Sequence, residues 1–363
     1  MYPVIEFHQE NVVMYMTKMN IEQLIVESKI MHYDSKSDSD YQRPPLPSHY
    51  RKIASYFMKE KSPILPSAII AAMGREDYEI KNGCIIFNNK IRIVDGQHRI
   101  EGFKCLNNGY CKGSKERYTK LACSFEFPVI IMLIEKDDEM TEIDAFINLN
   151  SKGKRVKTDL AEALKNRISK RFFETEETIS VSENYINMVA MNVARKININ
   201  NEFWRGHIIQ ADEIGKRNEQ PISIIAFTRA IKPIVNQYLT NRGKVVRAEE
   251  NDHIEKELFD IVSCAWDIVL NRWKECFAPN KEYNNAYNIC KGIGVVTLFG
   301  IFAECMATDE DYSNRFKEIL DNSKVTAENW LVGGSFTGFA SAQGFALVKR
   351  IIQNQESIES VDV

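Results

Sequence analysis

Hydrophobic positions change their spacing near residue 160. Before it, apolar residues come in short runs broken by polar turns. "EFPVIIMLIE" (126–135) is almost continuously apolar, as in an interior strand covered on both faces. "GCIIFNNKIRIVDG" (83–96) divides into two β-branched stretches, and Asn88-Asn89 between them suits the positive φ of a tight hairpin. Residues 1–33 read as strand then helix, with Ile21, Leu24, Ile25 and Ile30 at roughly helical spacing. A Pro-rich loop (32–50) precedes a helix that Ser48 is placed to cap, with Ile53, Tyr56 and Phe57 on one face. "PILPSAIIAAM" (63–73) is apolar and fits either strand or helix. Ile100, Phe103 and Leu106 predict a short helix stopped by "NNG" (107–109).

Beyond 160 the period lengthens. Leu258, Ile261, Val262, Ala265, Ile268, Val269 and Trp273 recur at three and four, the stripe of a packed helix. The pattern predicts an α/β N-terminal domain over 1–160 and a mostly α-helical C-terminal domain over 161–363. A length of 363 residues agrees with two domains.

Composition narrows the function classes. Hydrophobic residues at 44% and charged residues at 27% leave no segment predicted to stay unfolded. A net charge of −3 gives no global attraction to nucleic acid, so a polyanion site has to be a local patch. The eight cysteines form no C-x-x-C pair, and His8, His32, His49 and His253 are scattered, so no metal site is predicted. "PVIIMLI" and "GIGVVTLFGIFAECM" are too short to span a bilayer, and the N-terminus lacks the apolar core of a secretory signal. These features predict a soluble, cytoplasmic protein with no membrane partner.

The candidate chemistry sits at "IRIVDGQHRIEGFK" (91–104), where a strand runs into a helix. Unpaired N–H groups at a helix start, with the helix dipole, favour an anion. Gly96 lets backbone approach a ligand, Arg99 offers a bidentate contact to phosphate, Gln97 suits a water or a ribose, and His98 suits a phosphate or a proton. Asp95 suits a metal ion or a water. The plainer reading is a turn in which Asp95 caps the helix and Arg99 pairs with Asp95 or Glu101.

"VDGQHRIEGF" resembles the signature of the DGQHR-domain proteins, and the chain is similar to the DndB family of DNA sulfur modification proteins. "YQRPPLPSHYRKIASYF" and "AFINLNSKGKRVK" extend the likeness on either side. The resemblance implies a ParB/sulfiredoxin-like α/β domain, a small mixed sheet with helices, in which such a junction binds nucleotide phosphates. It implies a DNA-binding regulator, a transcriptional repressor, of bacterial DNA phosphorothioation, with nucleotide as a candidate switch. The phosphate-binding set carried over is Asp95, Gly96, Gln97, His98 and Arg99, with Gln42, Arg43, Asn148 and Asn150 as companions. Double-stranded DNA, the other sulfur modification proteins and a second copy of the chain are the partners it suggests. The alternative is an NTP hydrolase or DNA-nicking enzyme using ATP and Mg²⁺, with Asp95 and His98 catalytic.

Two further stretches bear on nucleic acid. In "SKGKRVK" (151–157), Lys152, Lys154, Arg155 and Lys157 lie in a Gly-containing loop suited to a phosphate backbone. On charge alone this run reads as a solvated surface; beside the family likeness it becomes the candidate DNA contact. Asn148 and Asn150 are read as a turn that leads into it. Trp204-Arg205 and the loop carrying Arg242, Lys244 and Arg247 are weaker candidates.

Overall fold

The computed structural model describes residues 1–37, 40–135, 139–151, 158–213, 218–279 and 282–358. The chain divides into two compact units, Met1–Lys157 and Thr158–Val363.

The first unit is built on a mixed sheet. In chain order it contains β1 (Tyr2–Pro3), β2 (Ile5–Gln9), β3 (Val12–Asn20), α1 (Ile21–Glu27), β4 (Ser28–Ile30), α2 (Pro47–Lys59), β5 (Ile69–Gly74), β6 (Tyr78–Lys81), β7 (Cys84–Phe87), β8 (Ile91–Asp95), α3 (Gln97–Asn107), α4 (Ser114–Ala122), β9 (Glu126–Ile134) and α5 (Glu139–Ser151). Six strands form one sheet in the order β2-β3-β9-β5-β8-β4, and β1-β7-β6 form a second. In the larger sheet β9 runs parallel to β5 and β8 parallel to β4, while the other neighbours are antiparallel. β9 sits inside that sheet between β3 and β5, which accounts for its unbroken apolar sequence.

Helices α2 and α3 cover part of this sheet through aromatic packing. The Phe57 and Phe103 rings lie 4.4 Å apart, and Phe103 meets Phe127 of β9 at 6.0 Å. Gly102 allows the two helices to approach: a Cβ there would stand 2.8 Å from Ile53 Cγ2 and 3.2 Å from the Tyr50 carbonyl. Asn20 and Gln23 close a reciprocal cap at the start of α1.

Two local expectations are corrected. Asn88-Asn89 does not turn β7 onto β8, because the two strands belong to different sheets. Both asparagine amides instead bond the Asp77 carbonyl, at 2.8 and 3.3 Å, and Asn89 Nδ2 donates to Asp77 Oδ1 at 2.5 Å. The "NLN" of Asn148 and Asn150 lies within helix α5, with Ile143 and Phe146 buried one turn apart. "PILPSAIIAAM" resolves to strand β5 at its C-terminal end.

The second unit is mostly helical: α6 (Thr158–Glu174), β10 (Thr178–Ser180), α7 (Glu183–Asn200), β11 (Ile208–Ile209), β12 (Ile222–Ser223), α8 (Ile224–Arg242), β13 (Val245–Arg247), α9 (Asn251–Arg272), α10 (Gly292–Thr308), α11 (Tyr312–Asn322) and α12 (Ala342–Ile352). Trp204, Trp266, Phe227 and Phe299 form its aromatic centre, with Trp204 4.7 Å from Trp266 and 5.0 Å from Phe227. Ser182 and Ser223 cap α7 and α8 by accepting from Tyr185 and Ala226 amides. Among the described residues, no helix is long and apolar enough to cross a membrane.

Candidate functional site at the strand–helix junction

The five residues at 95–99 occupy the end of β8 and the first turn of α3. Gly96 makes the turn with φ of +111°, and a Cβ there would meet Ile69 Cδ1 at 2.5 Å. Position 96 therefore favours glycine on its dihedral, and a Cβ would also displace the end of the Ile69 side chain. No side chain caps α3, so Asp95 is not its cap. The first amides of the helix lack intrahelical partners, and the positive end of the dipole lies there.

Arg99 turns back beneath this start. Its Nη2 donates to Asp95 Oδ2 at 3.0 Å, and its Nη1 donates to the Ser67 carbonyl at 2.6 Å and to Ser67 Oγ at 2.8 Å. The Arg99 side chain is 11% exposed, whereas that of Asp95 is 46% exposed. Arg99 thus anchors the segment leading into β5 to the end of β8, while Asp95 covers it from the solvent side. Burial lowers the Arg99 pKa from its ordinary value and Asp95 opposes that shift. Glu101 pairs instead with Lys104 at 2.7 Å.

His98 accepts a hydrogen bond at Nε2 from the Leu46 amide at 3.3 Å, and its ring lies 5.1 Å from that of His49. Burial, then the neighbouring His49, lowers its pKa, against the pull of Asp95 and Glu101. The bond from Leu46 requires an unprotonated Nε2. Gln97 is half-buried, and its side-chain oxygen meets no donor among the described residues.

Gln42 belongs to the same structure. Strand β4 ends opposite Ile93. The Gln42 side-chain amide takes over from it, donating to the Ile93 carbonyl and to that of Val94 at 3.3 Å. Gln42 is fully buried, and its Oε1 also meets no donor among the described residues. Arg43 is half-buried next to it. The loop of 41–46 is therefore tied to the motif at Ile93, Val94 and His98.

Sequence reasoning missed a buried network behind this loop. Arg92 donates from Nε and Nη2 to Glu142 Oε2, each at 2.9 Å, and Tyr41 donates from its hydroxyl to Glu142 Oε1 at 2.5 Å. Glu142 is 1% exposed, and its carboxylate, after burial itself, raises the Tyr41 pKa well above its ordinary value. The signal was an arginine inside the β-branched run "IRIV", which has to find a carboxylate when the strand is central. A chamber of about 210 Å³ opens beside this network, lined by Tyr41, Arg92, Glu142, Glu76, Asp77 and Glu135 among others.

The remaining candidates separate. Lys152, Lys154, Arg155 and Lys157 lie outside the described residues, and so does the side chain of Asn150. Asn148 is on α5. Trp204 is fully buried and serves packing. Arg242 pairs with Glu250 and Glu257, and Arg247 pairs with Glu249, which offsets that loop's charge. No group of three or more His, Cys, Asp or Glu side chains placed to hold a metal ion occurs among the described residues.

The model of the DndB family, described as DNA-sulfur modification-associated, matches residues 2–192. The chain belongs to the DndB family. The matched span takes in the sheet, the junction and α5, and it runs on through α6 into α7. Membership in DndB associates the chain with DNA sulfur modification. No curated protein and no solved structure matches it.

Proposed function

We propose that this DndB-family protein is a DNA-binding regulator of a DNA phosphorothioate modification system, acting as a repressor, and that the junction at 95–99 holds a phosphate. The observation that carries the reading is the arrangement of Arg99. Ser67 fixes one side of the guanidinium, and on the other, among the described residues, only a half-exposed Asp95 supplies a carboxylate. An arriving phosphate replaces Asp95 at Nη2 and gains the first amides of α3. The unfilled side-chain oxygen of half-buried Gln97 supplies an acceptor for the ligand's N–H or O–H groups. Lys152, Lys154, Arg155 and Lys157 provide the DNA backbone contact, since a net charge of −3 leaves that work to a local patch.

The same geometry favours binding over turnover. His98 Nε2 is engaged by the Leu46 amide and so is not set up to take a proton. Fluorescence anisotropy with the DNA upstream of the protein's own operon and with scrambled DNA tests the reading, with and without ATP and Mg²⁺, alongside phosphate release. The expected result is preference for the upstream DNA without sustained phosphate release. Phosphate release abolished by Arg99→Lys, with no preference between the DNAs, would replace the regulator by a hydrolase.

A further inference from the structure

We propose that the second unit carries a nucleotide site of its own in the cleft between α6, β10, α7 and α8. The base lies on Phe172, and the phosphate faces Lys165, Arg229 and Lys232. Every residue it uses belongs to the second unit, so it stands apart from the reading of the 95–99 junction.

Two chambers adjoin in this cleft and share Ser169 and Asn184. One, of about 570 Å³, is walled mainly by Ile168, Phe172, Phe173 and Ile179, with Glu176 at its edge. The other, of about 320 Å³, presents Lys165, Arg229 and Lys232 against a single carboxylate, Glu162, with Asn166, Asn184 and Asn187. Both volumes fall within the roughly 300–1,000 Å³ of small-molecule sites. An apolar chamber opening into a cationic one fits a ligand with a flat apolar ring at one end and an anion at the other. Lys165, Ser169 and Phe172 fall on one face of α6 at steps of four and three, so one helix supplies both ends.

Phe172 is 60% exposed, although its neighbour Phe173 is buried and packs edge-on against Tyr185 at 5.4 Å. An exposed ring in a chamber that adjoins a cationic one offers a face on which a nucleic-acid base can stack. The cations are only lightly engaged. Arg229 stands 4.0 Å from Glu162, and Lys232 pairs with a Glu183 that is 70% exposed. Such exposed pairs are weak and readily exchanged for phosphate.

Asn166 gives the second, independent pointer. Glu255 accepts from Asn192 Nδ2 at 2.7 Å, so Asn192 Oδ1 faces Asn166 and takes its Nδ2–H at 3.2 Å. That chain fixes the orientation of the Asn166 amide. Its Oδ1 is left as an acceptor on a side chain only 6% exposed, and no described residue donates to it. A base or sugar carries the N–H or O–H that this acceptor lacks; a bare phosphate at neutral pH does not.

The test uses the full chain and four probes: AMP, adenosine, inorganic phosphate and a fluorescent six-residue deoxyadenosine strand. Calorimetry reads the first three and anisotropy the strand, for wild type, Phe172→Ala and Lys165→Ala, both exposed positions whose loss leaves the fold intact. The proposal expects AMP to bind more tightly than adenosine or phosphate, with at least a tenfold loss in each variant. The same loss for the strand, with AMP silent, assigns the cleft to a nucleotide within single-stranded DNA and also upholds it. Wild type binding neither AMP nor the strand at millimolar concentration overturns the proposal. Variants that bind like wild type overturn it as well. Binding of the upstream duplex by Phe172→Ala reports separately on the regulator reading.

Discussion

At the scale of single residues, the junction is governed by what each side chain already holds. Gly96 permits the turn, Arg99 fastens it, and His98 receives the Leu46 amide and so ties the 41–46 loop to α3. His98 makes this tie sensitive to pH. Burial and His49 hold its native pKa below 6.5, so on acidification the unfolded chain takes up a proton before the folded one does. The stability His98 contributes is therefore complete above about pH 6.5 and is lost as pH falls from there through the depressed native value. Urea unfolding between about pH 7 and about pH 5 should show wild type losing more stability than His98→Gln. Glutamine keeps an acceptor for Leu46 and does not titrate. Parallel pH profiles for the two proteins would show that His98 is not held neutral.

At the scale of elements, the buried Arg92–Glu142 pair joins the middle of β8 to α5. Its partners are committed on both sides, with Tyr41 completing the carboxylate. Removing one member of such a pair strands a charge in the interior, which typically costs about 3–5 kcal/mol. Glu142→Ala should lower the unfolding free energy by that order in chemical denaturation, and Arg92→Met with Glu142→Leu should recover most of it. If the double variant were no more stable than the single one, the pair would hold α5 by more than charge compensation. The sequence announced β9, α2, α3 and α9 because their apolar spacing answers to burial alone. It did not announce the partner of β8. Asn88-Asn89 suits a hairpin locally, but Asp77, eleven residues earlier, captures both amides and sends the chain to the other sheet. The "NLN" stretch misled for the same reason: asparagine favours turns by local bonding, and burial of Ile143 and Phe146 on α5 outweighs that preference. At the candidate site the residue types of 95–99 were legible. The engagement of Arg99 by Ser67, and the reach of Gln42 to Ile93, were not, because both join segments dozens of residues apart.

At the scale of the whole molecule, net charge bears on the proposed hold on DNA. With 47 basic and 50 acidic side chains, the chain as a whole repels a polyanion slightly, so the proposed affinity for DNA would rest on a few local phosphate contacts. Each such contact releases condensed counterions, and the logarithm of affinity falls against the logarithm of salt by about 0.9 per phosphate neutralised. Replacing Lys154 and Arg155 together by glutamine should therefore make that slope shallower by about 1.8, and should weaken upstream and scrambled DNA alike. Phe172→Ala, which removes no charge, should leave the slope as it is. A wild-type slope in the double variant would take the 152–157 segment off the DNA and leave the contact to be sought elsewhere. Loss confined to the upstream sequence would make that segment a reader of bases instead of a hold on the backbone, since a contact with phosphate cannot distinguish one sequence from another.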